Sequence, residues 1–204
     1  EMIRFMEENQ VENNFNMDFF MDYEQVKRKL VIRLIHLEKN RELLKQVPYI
    51  KFEDLAITPK DVLGVWGDGN LGFITTLLLK VKFPDSKVII FGKHQDNLNL
   101  FSFADEIYRI HDVPDDLVID HGFECVGSSA SQSAIEQIID LINPQGTINL
   151  FGVSEYPVPI NTRMVLEKGL TLQGNSRSER EDFTGVVKLL SENPHMFDYL
   201  EKLI

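Results

Sequence analysis

The sequence predicts an α/β fold, a doubly wound and mostly parallel sheet of six strands with helices on its faces, preceded by an α-rich N-terminal segment. Two observations support this class. From residue 61 onward, short apolar runs of the strand type alternate with amphipathic segments of the helix type. The first apolar run also ends in a glycine-rich turn that leads straight into a helical pattern. Strands that alternate with helices favour parallel pairing through right-handed crossovers.

The predicted elements follow from these patterns in chain order. The strand candidates are 62–66, 87–91, 106–110, 118–126, 147–153 and 170–174. The helix candidates are 70–82, 96–101, 132–143, 161–168 and 180–193. In the third helix the isoleucines recur at helical spacing, and Pro144 and Gly146 end it. We expect the strand order 3-2-1-4-5-6, with a ligand bound at the switch point beside the first strand.

Composition excludes several classes of function. The chain has 204 residues, of which 43% are hydrophobic, and its 21 Lys and Arg against 32 Asp and Glu give a net charge of −11. This charge argues against nucleic acid or an anionic membrane as a partner. The single cysteine, Cys125, rules out an internal disulfide and suits the reducing cytoplasm. We expect no membrane span and no secretory leader. Because the chain begins with Glu1 rather than Met, we also expect a fragment.

Residues 1–57 differ in character from the rest, and we predict a separate, mainly helical segment of unknown role. The apolar positions Val26, Leu30, Leu34 and Leu37 fit a helical stripe, although the stretch 29–37 is rich enough in Val and Ile to form a strand. No motif in this segment indicates a chemistry. Prolines punctuate the way into the next module, so the predicted second domain covers residues 61–204.

The glycine-rich turn carries the pattern G-x-G-x-x-G at Gly67, Gly69 and Gly72. Between a strand and a helix, this pattern indicates a dinucleotide site: the first glycine makes the tight turn, the second lets the backbone approach a pyrophosphate, and the third lets helix and strand pack closely. We predict that these glycines, with Asn70 and Leu71 at the start of the helix, hold the pyrophosphate. An ordinary tight strand-to-helix turn is the alternative interpretation.

The end of the second strand indicates which dinucleotide binds. NAD-binding domains usually carry an acidic residue there for the adenosine ribose hydroxyls, whereas this chain reads Gly92 and Lys93. A glycine leaves room for a 2′-phosphate and a lysine supplies a positive charge, which favours NADP(H). The alternative is that Lys93 is simply an exposed loop lysine.

The ends of the fourth and fifth strands are expected at the same edge of the sheet. Val126, Gly127, Gly152 and Val153 would then line the nicotinamide side of the cofactor. The neighbouring Cys125 invites interpretation as a nucleophile, but no motif places a histidine base beside it, and an unactivated thiol is the commoner outcome. We assign no catalytic residue.

Five segments of the chain together match a known family: 64–76, 123–127, 131–135, 152–158 and 161–170. They resemble the ribulose-5-phosphate reductases, which belong to the zinc-dependent medium-chain dehydrogenases and share their Rossmann cofactor domain. The resemblance implies reduction of D-ribulose 5-phosphate to D-ribitol 5-phosphate with NADPH. It also implies a role in supplying CDP-ribitol for teichoic acid or capsule, beside a cytidylyltransferase partner.

The same resemblance implies a zinc-binding catalytic domain before the cofactor domain. Residues 1–57 are too short for it and contain no cysteine and one histidine, His36, so we identify no metal ligands. The N-terminal stretch instead weakly resembles a family of uncharacterised small proteins. We therefore expect the NADPH-binding domain of an oxidoreductase, and whether this chain is itself an enzyme stays open. The alternative is a non-catalytic nucleotide-binding module or a fusion fragment.

Two further expectations come from the resemblance. In this family the last strand pairs with its copy across a two-fold axis, so 170–175 would extend the sheet into a homodimer, and a capped edge strand is the alternative. Arg177 follows that strand and would turn toward the pyrophosphate, unless it is an exposed surface arginine.

Overall fold

The computed structural model of the protein describes residues 55–174, 178 and 180–203. The predictions for the N-terminal segment up to residue 54 and for Arg177 lie outside the described residues. The described strands form one sheet in the order β3-β2-β1-β4-β5-β6, and every pairing between neighbouring strands is parallel. The predicted fold class, the six strands and their order are therefore confirmed.

The described strands are 4 to 9 residues long. They are β1 (Val62–Trp66), β2 (Lys87–Gly92), β3 (Glu106–Arg109), β4 (Ile119–Glu124), β5 (Ile142–Leu150) and β6 (Thr171–Gly174). The described helices are α1 (Asn70–Lys82), α2 (Gln95–Leu98), α3 (Ser131–Leu141), α4 (Thr162–Lys168), α5 (Arg180–Glu192) and α6 (Phe197–Leu200). The 3-10 turns Pro194–Met196 and Glu201–Leu203 flank α6.

The hydrophobic core lies on both faces of the sheet. Because successive side chains of a strand point to opposite faces, Leu63 and Val65 of β1 pack in the cluster that includes α1, while Trp66 packs in the cluster that includes α3. Trp66 stacks on Phe91 of β2 with ring centroids 4.0 Å apart. Both faces of β1 are therefore covered, which explains why its sequence is a continuous apolar run.

The differences from the predicted elements lie mainly at element ends. β5 begins at Ile142 rather than at residue 147, because Ile142 leaves α3 and pairs with Ile119 before an irregularity in the ladder. A second difference follows α5, where the chain continues into α6 and its flanking turns, which the sequence patterns did not indicate. Met196 there is 2% exposed and packs into the core beside α1. Both differences depend on tertiary contacts that local periodicity does not encode.

No helix in the described part of the chain is long and apolar enough to cross a membrane.

Candidate functional site

The predicted site residues that the structure describes follow β1, β2, β4 and β5 and lie at the carboxyl edge of the sheet. Backbone hydrogen bonds hold three of these strand ends together. Gly67 N donates to Phe91 O of β2 at 2.9 Å, and Cys125 N donates to Trp66 O of β1 at 2.8 Å. The end of β1 is thus fixed between its two neighbours, as the predicted switch-point site requires.

The glycine-rich turn, residues 67–72, has a separate reason for each glycine. Gly67 has φ +126°, a conformation that side-chain-bearing residues rarely adopt. A Cβ at Gly72 would lie 1.7 Å from the carbonyl oxygen of Gly67, so close packing of α1 on the turn requires glycine there. A Cβ at Gly69 would meet no atom within 4 Å. Gly69 therefore borders open space, and this is where the motif predicts a pyrophosphate.

The N-terminus of α1 supports the same interpretation. Gly69 is its N-cap and offers no side-chain cap, and the first turn contains no acidic residue. The first hydrogen bond of the helix runs from Phe73 N to Gly69 O at 2.9 Å. The amides of Asn70, Leu71 and Gly72 precede it and are of the kind that a helix leaves without an acceptor of its own. Such amides, together with the helix dipole, favour a phosphate.

Asp68, inside the glycine-rich turn, ties the turn to the β2 loop, residues 92–94. Its Oδ2 accepts hydrogen bonds from Lys93 N at 3.0 Å and His94 N at 2.5 Å, and lies 3.1 Å from His94 Nδ1. This carboxylate thereby fixes the backbone of the loop that was predicted to distinguish NADP(H) from NAD(H). Lys93 itself is exposed.

The surroundings of Gly92 differ from the expectation that a glycine leaves room for a phosphate there. A Cβ at Gly92 would lie 2.6 Å from Leu98 Cδ2 and 2.7 Å from Asp68 Cβ. The space beside Gly92 is filled by these two side chains. The physical reason for glycine at this position is close packing of α2 and Asp68, and any contact of Gly92 with a cofactor stays a prediction.

Glu124 ends β4 and lies between two loops of the site, the β4 loop, residues 125–128, and the β5 loop, residues 151–154. It is 1% exposed. Its Oε1 accepts from Val126 N and Gly127 N, both at 2.8 Å, and its Oε2 accepts from Gly152 N at 3.1 Å. One buried carboxylate therefore takes amide donors from both loops.

Further contacts join the same two loops. Ser128 N donates to Val153 O at 2.8 Å, and Ser154 Oγ donates to Ser128 O at 2.7 Å. Val126 and Val153 remain 40% and 81% exposed, so each loop presents an apolar side chain to solvent. The structure therefore pairs the loops that carry the four residues predicted for the nicotinamide side.

Cys125 does not have the surroundings of a nucleophile. It is 7% exposed, and its Sγ lies 3.6 Å from Thr75 Oγ1. Burial, more than the nearby Glu124 carboxylate, raises the pKa of Cys125 to about 12. Since the thiolate is the reactive form, this pKa favours the interpretation of an unactivated thiol.

A metal ion finds no set of ligands here. Among residues 55–174, 178 and 180–203, no three His, Cys, Asp or Glu side chains cluster closely enough to hold one.

Sequence reasoning missed Asp68 and Glu124 as site residues. Asp68 occupies a variable position of the glycine motif, where the pattern assigns no role. Glu124 carried a usable signal, since a charged residue at the end of an apolar strand must find partners if it is buried. What the sequence does not reveal is that one of those partners, Gly152, lies 28 residues further along the chain.

Two protein families match parts of the chain. The model described as "Zinc-binding dehydrogenase" matches residues 98–192. The model described as "Family of unknown function (DUF5688)" matches residues 1–77. The second match extends past the glycine-rich turn and gives no function for the N-terminal segment.

Similar proteins are named as reductases of one sugar phosphate. The ribulose-5-phosphate reductase of Bacillus spizizenii is 59% identical over 154 residues, which are 76% of this chain and 45% of that protein. Ribulose-5-phosphate reductase 1 of Staphylococcus aureus is 52% identical over 153 residues, or 75% of this chain and 45% of that protein. The crystal structure of S. aureus TarJ in complex with NADPH superposes with a TM-score of 0.72 at 53% identity, covering 74% of this chain and 48% of that one.

The chain thus spans slightly less than half the length of the relatives it matches. The matched part contains a parallel sheet of dinucleotide-binding order with the glycine-rich turn at its switch point. The resemblance predicted from the sequence is therefore confirmed: three quarters of the chain is similar to part of the ribulose-5-phosphate reductases, and its fold is that of a dinucleotide-binding domain.

Proposed function

We propose that the predicted domain of residues 61–204 binds NADPH and serves an enzyme that reduces D-ribulose 5-phosphate to D-ribitol 5-phosphate. The observation that carries this proposal is the open space at Gly69, next to a helix N-terminus that lacks a side-chain cap and any acidic residue in its first turn. The names of the relatives and the NADPH complex of S. aureus TarJ support the choice of substrate and cofactor.

Each part of the edge has a role in this proposal. The glycine-rich turn, with Asn70 and Leu71, holds the pyrophosphate. Arg177 supplies a positive charge that attracts it. Gly92 and Lys93 of the β2 loop contact the adenosine 2′-phosphate, for which a lysine is a suitable point charge. Val126 and Gly127 with Gly152 and Val153 line the nicotinamide side.

The chemistry is divided between this chain and what completes the site. Bound NADPH supplies the hydride for the carbonyl carbon of the substrate. The residues of this chain bind and orient the cofactor at the sheet edge. In the full-length relatives' family a zinc ion is expected to polarise the carbonyl. The described residues offer no ligand set for that ion, so the proposed role of this chain is limited to the cofactor.

The setting of the activity is also a proposal. We place it in the cytoplasm, in the supply of CDP-ribitol for teichoic acid or capsule, beside a cytidylyltransferase. A homodimer would form through 170–175, since β6 is an edge strand of the described sheet. Residues 1–57 would form a separate segment with a role of their own.

A second candidate is a non-catalytic nucleotide-binding module or fusion fragment. The match of residues 1–77 to a family of unknown function favours it, because that family is different from the dehydrogenase family matched further along. Carbonyl reduction separates the two candidates: an enzyme oxidises NADPH when ribulose 5-phosphate is present, whereas a module binds NADPH without turnover.

The test of cofactor binding is calorimetric titration of the 204-residue chain with NADPH and NADH. We expect NADPH to bind more tightly, and Lys93→Asp to weaken NADPH by about tenfold or more while leaving NADH nearly unchanged, because the substitution replaces attraction to the 2′-phosphate by repulsion. Lys60→Asp is the matched control: it makes the same charge change at an exposed position before β1, at the opposite edge of the sheet.

The possible results separate clearly. Equal losses of NADPH affinity in the Lys93 and Lys60 variants would mean that overall charge, not a 2′-phosphate contact, governs binding. Failure of the wild-type chain to bind either nucleotide would mean that the glycine-rich turn is structural here, and the proposed function would be wrong.

A further inference from the structure

Glu124 is a buried charge that the proposed function does not use. It is 1% exposed, and its three hydrogen-bond donors are the backbone amides of Val126, Gly127 and Gly152. A carboxylate is costly to bury unless its oxygens are hydrogen-bonded, so these amides make its place in the fold tolerable. Replacing the carboxylate would leave the amides of Val126 and Gly127 without their acceptor, whereas Gly152 N would keep the backbone oxygen of Glu124 at 3.0 Å.

The carboxylate also limits how closely the two loops approach each other, beside the backbone bonds from Phe151 N and Gly152 N to Glu124 O. A Cβ at Gly152 would lie 2.5 and 2.6 Å from the Oε1 and Oε2 atoms of Glu124, and 2.3 Å from the amide nitrogen of Gly127. The β5 loop therefore lies as close to Glu124 and to the β4 loop as a glycine backbone permits. Gly127, at φ +68°, turns the β4 loop back toward Val153, whose carbonyl accepts from Ser128 N.

The two loops present Val126 and Val153 at 40% and 81% exposure. Exposed apolar side chains on neighbouring loops are a frequent sign of a ligand surface. The nicotinamide ring is flat and largely apolar, and it needs walls of fixed spacing because hydride transfer depends on its orientation.

We propose that Glu124 is a positioning residue for the nicotinamide half of the cofactor. Its carboxylate holds the β4 and β5 loops at the spacing that presents Val126 and Val153 to the ring. This inference rests on the proposed function, because it assumes that a nicotinamide nucleotide binds at this edge. Beyond that function, it states that binding of the nicotinamide ring depends on the Glu124 carboxylate, which does not itself touch the ligand.

The test compares two ligands that differ by the nicotinamide ring, NADPH and 2′-phospho-ADP-ribose. Both are titrated into the full chain, as wild type and as Glu124→Gln, which keeps the shape but turns one acceptor into a donor that faces an amide. We expect the variant to bind NADPH about tenfold more weakly and 2′-phospho-ADP-ribose within about twofold of wild type. Glu155→Gln, the same change at an exposed residue just beyond the β5 loop, is the control and should change neither.

A purely structural role would not separate the two ligands. Equal losses for both, or no loss for either, would overturn the inference while leaving NADPH binding intact. Equal affinity of the wild-type chain for the two ligands would also overturn it, because the ring would then contribute nothing. If the wild-type chain binds neither ligand, the proposed function itself is wrong.

A second variant covers the case in which Glu124→Gln does not fold. Ser154→Ala removes the hydrogen bond from Ser154 Oγ to Ser128 O, which joins the same loops at their solvent side. Because this bond is exposed, the variant should fold, and we expect a loss of about threefold for NADPH alone. If Ser154→Ala binds both ligands like the wild type, the spacing of the loops does not govern the nicotinamide end, and the inference is wrong.

Discussion

Two carboxylates lie at the two ends of the candidate site, and their surroundings differ. Asp68 stands in the glycine-rich turn and uses one oxygen, Oδ2, to accept from the exposed residues Lys93 and His94. Glu124 uses both oxygens, accepts from three amides of two loops, and is nearly inaccessible to solvent. The same functional group thus fixes an exposed loop at one end and a buried junction at the other.

This difference indicates at which end of the site substitutions are tolerated without loss of stability. Water can replace Asp68 as the partner of an exposed loop, so changes there should affect binding more than stability. Glu124 is buried, so water replaces it less easily, and changes there should lower stability as well as weaken the binding of the nicotinamide half. The end proposed for the adenosine phosphate would therefore be the adjustable one, and the nicotinamide end would be fixed by the fold.

The largest expected effect is on stability at the Glu124 end. Glu124→Ala leaves the amides of Val126 and Gly127 without their acceptor and creates a small void, and we expect it to lower the free energy of unfolding by about 3 kcal/mol. The measurement is urea unfolding followed by circular dichroism. Asp68→Ala serves as the comparison and should cost about 1 kcal/mol or less. Equal losses for the two variants would show that burial does not distinguish these carboxylates.

A smaller effect is expected on cofactor selectivity at the Asp68 end. Asp68→Ala frees the β2 loop, and we expect the preference for NADPH over NADH to fall by about tenfold because Lys93 loses its fixed backbone. Asp68→Asn retains a carbonyl oxygen that accepts from the loop amides, so the preference should stay near that of the wild type. Calorimetric titration of both variants with both nucleotides measures this.

The pair of Asp68 variants separates position from charge. If alanine and asparagine reduce the preference equally, the charge paired with His94 matters and the backbone contact does not. If both variants bind NADPH more tightly than the wild type, Asp68 repels the 2′-phosphate, and this carboxylate weakens NADPH binding instead of supporting it.

The same contrast explains how much of the fold was predictable from sequence. The strand order followed from patterns that are local: apolar runs such as 62–66, and a motif whose glycines each answer a backbone requirement. The predicted start of β5 was wrong, because Ile142 belongs to a helical repeat in the sequence but pairs with Ile119 of β4 in the structure. Pairing across the sheet decides such a residue, and periodicity cannot.

For the candidate site, the sequence predicted the backbone positions better than the side chains that hold them. The turn at Gly67 and the loops after β2, β4 and β5 were named from their place at strand ends, and the structure brings them to one edge. Asp68 and Glu124 could not be assigned, because each joins its own loop to a loop distant in the chain: Asp68 accepts from Lys93, and Glu124 accepts from Gly152. Gly92 is the intermediate case, since its glycine was noticed and the reason for it differs from the one expected.

The smallest expected effect concerns Cys125, which follows Glu124 directly and tests whether the nicotinamide end is closed in solution. Its pKa is raised from 9.0 to about 12, so folding favours the neutral thiol. The resulting contribution to stability is complete below about pH 9 and is lost as the pH rises toward about 12.

The accessibility of Cys125 tests the same point. Near neutral pH we expect a thiol reagent to modify Cys125 only as fast as the chain unfolds or opens locally, and to modify it rapidly when the chain is unfolded in urea. Cys125→Ala should leave NADPH affinity within about twofold, because the thiol faces Thr75 and the core instead of the cofactor edge. Modification of the folded chain as fast as that of the unfolded one would show that the β4 end opens freely, and Glu124 could then not hold it.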